Sequence, residues 1–473
     1  MSILDYNGFD DENEEDGKSD RFDDELKKYR DLLKDGGSNI TSVEALEEIV
    51  NYFYDHEKYD EALRFVDRLL TLVPYSADGW LRKGQILGNL HRLEESVQAF
   101  DRALTLNPVD PETLINKGIS LDDLGRTEEA LALFERALDL DPSNEDALLN
   151  KGIALEKSGR YEDALALFEF LLKGNPDHKE AWYELGYCND YLDRPAESLR
   201  CYDEHLKRDP YNYNAWYNRG IVLNRMMHYN TALESYSMAL AIKEDFPSAW
   251  YNMGNAHANL GRLFDAIHSY RQTIHFEPKD IPAWHNLGNA YEELGKLQEA
   301  IQCFTAAVRL DPSHYESYFG RGSCYDAMQE NRKALADYNR GLTLCRDYPE
   351  LWYAKADLLY NMGRVRDSLL SYRMVTRLDP QNLEAWLDYG ETLLELGYFR
   401  QALKSFDRAL ETNPHSAEPH YLRAKVLIVL NRNFEAAESL KTSFQLDPQK
   451  RLDFEQDFPG ARSIREFKGF LKK

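Results

Sequence analysis

The sequence is poor in cysteine and has no excess of basic residues. Its 473 residues include five cysteines, with no Cys-x-x-Cys pair and no zinc-ligand spacing. This pattern indicates neither a disulfide framework nor a structural metal site, and it favours a reducing compartment. The 57 basic residues are outnumbered by 82 acidic ones, which gives a net charge of -25. Because binding to nucleic-acid phosphates needs clustered Lys and Arg, nucleic acid is not an expected partner.

Long apolar runs are also missing. The longest, VLIVL at residues 426–430, is far shorter than the ~20 residues of a membrane-spanning helix. The N-terminus shows neither the basic start nor the apolar stretch of a secretory signal. These features predict a cytoplasmic protein.

What the sequence has in abundance is one pattern that recurs every 34 residues. In steps of 34 from Pro74, ten of twelve positions are proline. We number the places of each unit from Val43 and from every 34th residue after it. All seven tryptophans then occupy the fourth place, nine of the twelve eighth places are glycine, and every twentieth place is Ala or Ser. A fixed period indicates one structural unit that is copied and stacked against itself.

Each unit has the pattern of two helices. Large residues at places four, seven, eleven and twenty-four have the spacing of a helix face. A Leu-Gly-Arg or Leu-Gly-Lys turn divides three of the units, and proline closes most units because it cannot continue a helix. Each unit is therefore predicted to be two antiparallel helices. Gly at the eighth place and Ala at the twentieth are predicted to let the backbones approach closely where helices cross.

The unit length and the W, G, Y, A, F, A, P pattern resemble the tetratricopeptide repeat (TPR) family. The resemblance covers residues 43–450. It implies an all-α fold, a right-handed superhelical solenoid of about twelve TPR helix-turn-helix units. In this family the first helix of each unit lines a concave face, so the resemblance also implies where a partner would bind.

Segments on both sides of the repeats are predicted from composition and helical periodicity. Residues 1–20 are strongly acidic and are predicted to be a disordered tail. Residues 21–42 are predicted to contain an N-terminal capping helix and a linker, and residues 451–473 a C-terminal capping helix. The latter places Ile464, Phe467 and Leu471 on one face, and a membrane-surface helix is the alternative for it.

Two linkers depart from the proline pattern. AIKEDFPSAWY and TLCRDYPELWY place Pro247 and Pro349 three residues late, after an aromatic residue. The linkers after the sixth and ninth units are therefore predicted to differ in shape, either as an alternative turn or as a loop for a partner.

The sequence contains no constellation that indicates catalysis. Every notable residue type is explained by its place in the unit, and Cys188 and Cys324 share the tenth place, where a buried packing role is predicted. The histidines include no His-Glu-x-x-His motif, and the glycines do not form a strand-to-helix phosphate loop. We therefore predict no enzymatic activity, no cofactor and no metal site.

Acidic residues occupy many outward places of the first helices. The candidates for partner binding at the twelfth and thirteenth places are Asp122, Asp123, Glu156 and Asp190. Charges that face into a curved groove reinforce one another's field, so these residues are predicted to attract a basic segment. The alternative is a solvated acidic surface that only keeps the protein soluble.

Tyrosine and asparagine recur on the same helices. The candidate tyrosines, whose rings suit a peptide-gripping surface, are Tyr183, Tyr187, Tyr217, Tyr251 and Tyr353. The candidate asparagines at the sixth place, whose amides can both donate to and accept from a peptide backbone, are Asn116, Asn150, Asn218, Asn252 and Asn286. They resemble the asparagine ladder of the array in the nucleocytoplasmic sugar transferases, with an interruption at Glu184. Packing between units is the alternative for both residue types.

These features predict a non-enzymatic interaction scaffold or adaptor. Its acidic, Tyr-lined concave groove is predicted to hold a basic or amphipathic segment of a partner protein. One alternative is self-assembly into homo-oligomers through the end units or the late-proline linkers. The other is a membrane-associated assembly factor that uses its C-terminal helix.

Overall fold

The computed structural model describes residues 41–461 and 465–467, which form 25 α-helices and contain no strand. The first helices of the repeats are α1 (Val43–Asp55), α3 (Ala77–Asn89), α5 (Pro111–Asp123), α7 (Glu145–Lys157), α9 (Lys179–Tyr191), α11 (Tyr213–Arg225), α13 (Pro247–Asn259), α15 (Ile281–Glu293), α17 (Tyr315–Ala327), α19 (Pro349–Asn361), α21 (Leu383–Glu395) and α23 (Ala417–Val429). The second helices are α2 (Tyr59–Leu72), α4 (Leu93–Leu106), α6 (Thr127–Leu140), α8 (Tyr161–Gly174), α10 (Pro195–Arg208), α12 (Tyr229–Ile242), α14 (Leu263–Phe276), α16 (Leu297–Leu310), α18 (Asn331–Leu344), α20 (Val365–Leu378), α22 (Phe399–Thr412) and α24 (Asn433–Leu446). A further helix, α25 (Gln449–Asp457), follows the last repeat.

The helices follow the period of the sequence residue by residue. Every first helix begins at the first place of its unit, and every second helix begins at the seventeenth. The prediction of an all-helical array of twelve helix pairs is therefore confirmed.

The described helices belong to two compact parts of the chain, which divide between Glu244 and Asp245. From here on these parts are called the first unit and the second unit, and the 34-residue units are called repeats. The first unit contains α1–α12 and the second contains α13–α25. Within each unit, every helix packs against the next helix along the chain. Each repeat thereby covers apolar surface that its neighbour exposes, which one helix pair could not do alone.

The eighth-place glycines lie directly beneath aromatic rings of the second helices. A Cβ atom on Gly118 would lie 2.5 Å from Cε1 of Phe134, and one on Gly220 would lie 2.5 Å from Cε1 of Tyr236. Both rings are buried. Glycine is therefore needed at this place because the ring occupies the volume that any larger side chain would need, and the predicted close approach of the backbones stays a prediction.

The recurring tryptophan and proline are linked by a hydrogen bond. In six repeats the indole Nε1 donates to the backbone carbonyl six residues earlier, at 2.8–3.0 Å. In five of them that carbonyl belongs to the linker proline, as for Trp182 and Pro176. The bond holds each linker against the helix that follows it.

The two late-proline linkers are built differently from the others. In nine repeats a Ser, Asp, Asn or His before the first helix accepts a hydrogen bond from the third helical N–H. Before α13 and α19 this position holds Phe246 and Tyr348, which make no such bond, and Pro247 and Pro349 are the first helical residues. Proline suits this position because its φ is helical and its missing N–H has no intrahelical partner there.

The C-terminal part of the chain packs on the last repeat. Phe454 of α25 and Phe467 are both fully buried, and their ring centroids lie 5.8 Å apart in an edge-to-face arrangement. Of the three residues on the predicted C-terminal helix face, Ile464 and Leu471 lie outside the described residues. So do the predicted acidic tail and N-terminal capping helix, and the predicted domain boundaries stay predictions.

Candidate binding faces on the first helices

Four of the ten predicted tyrosines and asparagines are hydrogen-bonded to each other in pairs. The hydroxyl of Tyr183 accepts a hydrogen bond from Asn218 Nδ2 at 2.9 Å, in the next repeat. Tyr251 accepts in the same way from Asn286 at 3.0 Å. In both pairs a tyrosine at the fifth place is bonded to the sixth place of the following repeat, 35 residues on. These four side chains join neighbouring repeats, as the packing interpretation predicts.

The remaining asparagines and tyrosines do not form a continuous ladder. Asn116 and Asn150 each donate to a backbone carbonyl four residues earlier on their own helix, at 2.9 and 2.8 Å. Tyr187 lies against Tyr191 with ring centroids 4.8 Å apart, and Tyr217 lies beside the buried Tyr236. Asn252 is half-buried on α13.

Basic side chains offset three of the four predicted carboxylates in the first unit. Lys157 Nζ lies 2.7 Å from Asp122 Oδ2 and 3.6 Å from Asp123 Oδ1. Arg225 lies 2.5 Å from Asp190 Oδ1. These ion pairs cross from one repeat to the next, so they reduce the field that the carboxylates present to a partner.

The fourth carboxylate of that set, Glu156, shares a proton with a neighbour. Burial raises the pKa of Glu156 to about 7, and the pKa of the half-buried Glu184 is raised well above its usual range, also chiefly by burial. A hydrogen bond joins the two side chains, and the repulsion between them keeps the Glu184 proton in place. Cys188 donates a further hydrogen bond to Glu156 Oε2 at 3.6 Å. This pair cannot carry two full negative charges near neutral pH. The charge at Glu156 is therefore smaller than the sequence predicts.

The second unit has a more strongly acidic site on its first helices. A cavity of about 440 Å³ is lined by residues of α17 to α21 and of the linkers between them. Its carboxylates are Asp326, Glu350, Asp357, Asp379 and Glu384. The rings of Phe319, Tyr338 and Tyr353 form its apolar surface, and no Lys or Arg is among its lining residues within the described chain.

Two carboxyl groups of this cavity, Asp326 and Asp357, and the nearby Asp388 have raised pKa values, chiefly because they are buried. Burial raises the pKa of Asp357 to about 6, and repulsion from Asp388 and Asp326 adds to the effect. Burial also raises the pKa of Asp326 and of Asp388. Tyr372 donates to Asp357 at 2.6 Å, and Tyr353 donates to Asp388. A cation in the cavity would relieve this repulsion.

Asp357→Asn is expected to stabilise the protein at neutral pH. A carboxyl whose folded pKa lies above its unfolded value loses stability as pH rises through the folded pKa, so Asp357 costs stability above about pH 6. After allowance for its partial exposure, the gain at pH 7.5 should be about 1–2 kcal/mol. Urea unfolding at pH 4 and pH 7.5 measures it, with the exposed Asp347→Asn as control. An equal effect of Asp357→Asn at both pH values would contradict the assignment.

Comparison with known families agrees with this architecture. A tetratricopeptide-repeat model matches residues 48–111, 115–169 and 149–190, and the model "Cilia and flagella-associated protein 70 C-terminal domain" matches 230–456. The chain is a TPR protein. A model of the protein prenyltransferase alpha subunit repeat also matches residues 195–226. A search of curated proteins gave no match.

Several solved structures are similar to this TPR protein. The structure of YrrB, described as a TPR protein with an unusual peptide-binding site, is 24% identical, with 40% of this chain and 97% of that chain covered and a TM-score of 0.35. MamA is 24% identical, with coverage of 34% and 94% and a TM-score of 0.34. The APC/C Cut9–Hcn1 hetero-tetramer structure is 13% identical, with coverage of 92% and 96% and a TM-score of 0.40.

Other sites predicted from the sequence behave as repeat positions of a TPR array. Cys188 and Cys324 are fully buried, as predicted. Within the described residues, no group of three or more His, Cys, Asp or Glu side chains is arranged to hold a metal ion. Of the helices described, none is both long enough and apolar enough to cross a bilayer. TPR arrays bury one face between repeats and offer others to partners, and this chain is a protein-interaction scaffold of that kind.

Proposed function

We propose that this TPR scaffold binds a basic or amphipathic segment of a partner protein on the acidic, tyrosine-bearing face of its first helices. The observation that carries the proposal is the cavity of the second unit, where five carboxylates and three aromatic rings meet and no Lys or Arg of the described residues lines the wall. A Lys or Arg side chain fits this chemistry, since it pairs with carboxylates through its charge and with aromatic faces through the ring quadrupole.

The first unit carries a second proposed binding surface, which has a weaker field. Its proposed contact residues are the predicted Asp122, Asp123, Glu156 and Asp190, with Tyr183, Tyr187, Tyr217, Asn116, Asn150 and Asn218. The other predicted residues, Tyr251, Tyr353, Asn252 and Asn286, belong to the second unit. For a basic side chain of the partner to bind here, Lys157 would have to break its ion pair with Asp122, or Arg225 its ion pair with Asp190. The exchange of one ion pair for another gains little free energy, so we assign the main affinity to the second unit.

The proposal is tested with the full-length chain and a fluorescein-labelled peptide of alternating Lys and Leu residues. Glu350 and Glu384 lie on the cavity and are exposed, so charge reversal there should leave the fold intact. Glu350→Lys with Glu384→Lys is expected to weaken binding at least about tenfold in fluorescence anisotropy.

The matched control reverses two exposed carboxylates on second helices of the same unit, Glu299→Lys with Glu438→Lys. It changes the net charge equally, yet the affinity should change less than about threefold because distant surface charges are screened. Equal losses in both double variants would mean that only overall charge attracts the peptide, and the assignment to the cavity would be wrong.

A further inference from the structure

The second unit contains a larger cavity of the opposite character. It has a volume of about 960 Å³ and is formed by α18, α19, α20 and α21. Its apolar lining consists of Leu335, Trp352, Leu359, Leu370, Met374, Trp386 and Tyr389. Its charged lining consists of Lys355, Arg364, Arg373, Arg377 and one acid, Asp367. We call this site the basic groove.

Three of the four cations in the basic groove have no carboxylate partner. Arg364 is paired with Asp367, Nη2 to Oδ2, at 2.6 Å. In the described part of the chain, no carboxylate lies within ion-pair distance of Lys355, Arg373 or Arg377. Burial and the nearby Arg364 lower the pKa of Lys355. The basic groove therefore holds uncompensated positive charge in a protein whose net charge is -25.

Comparison between repeats shows why these cations are unpaired. At five junctions an acid at the twenty-fifth place of one repeat pairs with a base at the seventh place of the next, at 2.6–3.1 Å. At the junction before α19 the acid is replaced by Asn339, which leaves Lys355 alone. At the next junction the acid is replaced by Arg373 and the base by Tyr389.

The three junctions before these also lack the acid, and at one of them Arg271 takes its place and bonds to the Tyr291 hydroxyl. The seventh place there is uncharged or, at Arg321, paired within its own repeat. The loss of the acid at two successive junctions therefore accounts for the unpaired Lys355 and Arg373 of the basic groove.

The apolar lining is equally unusual for its place in the repeat. Leu370 is 64% exposed. Its place, the twenty-second, is polar, charged or alanine in the other eleven repeats. The indole N–H groups of Trp352 and Trp386 already donate to backbone carbonyls, so these residues offer only their rings to a ligand. An exposed leucine beside two such rings is an apolar anchor point.

We propose that the basic groove binds an acidic segment of a partner protein that carries leucine or phenylalanine side chains. The carboxylates of this segment would pair with Lys355, Arg373 and Arg377, and its apolar side chains would cover Leu370 and the indole rings. Charge complementarity selects this occupant, because a basic segment would be repelled. The site is separate from the acidic cavity, and its proposal stands independently of the proposed function.

The test uses the full-length chain and a fluorescein-labelled peptide with the sequence Asp-Glu-Asp-Leu-Phe-Asp-Leu-Glu-Asp. Arg373→Glu with Arg377→Glu is expected to weaken binding at least about tenfold. Leu370→Ser, at an exposed position that should tolerate it, is expected to weaken binding about fivefold or more. Arg366→Glu is the control for charge, since Arg366 is exposed on the same helix and does not line the basic groove. It should change the affinity less than about threefold.

Three results would overturn the proposal. The first is equal weakening by Arg366→Glu and by the double variant Arg373→Glu with Arg377→Glu. The second is undiminished binding of the peptide when its Leu and Phe are replaced by serine. The third is a dimer of the unmodified chain in sedimentation equilibrium that Leu370→Ser dissociates, because a second copy would then occupy the basic groove. Circular dichroism of each variant shows whether a loss of binding reflects a loss of helix.

Discussion

Gly118→Ala is expected to lower the free energy of unfolding by up to about 2 kcal/mol. Alanine is the better helix former by about 1 kcal/mol, which alone would stabilise α5. Its Cβ, however, would lie 2.5 Å from Cε1 and 2.8 Å from Cζ of the buried Phe134. Overpacking of this kind costs about 1–3 kcal/mol, because neither the ring nor the backbone can move without disturbing other contacts. Urea unfolding followed by far-UV circular dichroism measures the change.

A double-mutant cycle separates this contact from a general effect of alanine. Gly118→Ala combined with Phe134→Leu should destabilise less than the sum of the two single changes, since the smaller side chain makes room for the Cβ. Gly174→Ala is the control, because Gly174 ends α8 and a Cβ there would meet no neighbouring atom. Strict additivity of Gly118→Ala and Phe134→Leu would show that the close approach is not what requires glycine.

Glu184→Gln is expected to stabilise the protein above neutral pH and to have a much smaller effect in acid. Glu156 and Glu184 both have folded pKa values above their unfolded values, with Glu156 at about 7. Groups of this kind favour the folded state at low pH and lose that contribution as pH rises through the folded pKa. The introduced amide keeps a donor for Glu156 and removes the second carboxyl, so the repulsion disappears. The gain should be small at pH 4.5 and reach its full size at pH 8.

The measurement is the free energy of unfolding against pH for the unmodified protein and the variant. Glu169→Gln serves as control, since Glu169 is exposed on the neighbouring α8. The diagnostic quantity is the difference between the curves, because other carboxyls of the chain contribute to both. A difference that does not change between pH 4.5 and pH 8 would refute the shared proton.

The fold was predictable from the sequence because the same pattern of residues recurs in twelve repeats. A single helix boundary is usually ambiguous, yet the same boundary here follows from twelve aligned places. The predicted repeat start at Val43 is the first residue of α1, and every later repeat start is a helix start. The cap residues were not predicted. A signal for them existed, since Ser, Asp, Asn or His precedes most first helices in the sequence.

The candidate site was less predictable because its geometry depends on contacts between repeats. The sequence shows Tyr183 and Asn218 as two separate recurrences, and only the fold brings their side chains to 2.9 Å. Glu184 was noticed as an interruption of the asparagines, although its pairing with Glu156 depends on burial that the sequence does not display. The basic groove could have been recognised in the sequence. Lys355 is a base at the seventh place, while the twenty-fifth place of the preceding repeat holds Asn339 and not an acid that could pair with it.

Helix α19 supplies residues to both cavities of the second unit. Tyr353 and Asp357 line the acidic one, while Trp352 and Lys355 line the basic groove. Ligands of opposite charge on its two sides would be separated by little more than the helix, about 10–12 Å across, and would attract each other across about one Debye length. Such coupling is reciprocal, so each partner would tighten the binding of the other by the same factor. Through this one helix of thirteen residues, the protein would bind its two partners more tightly together than it binds either partner alone.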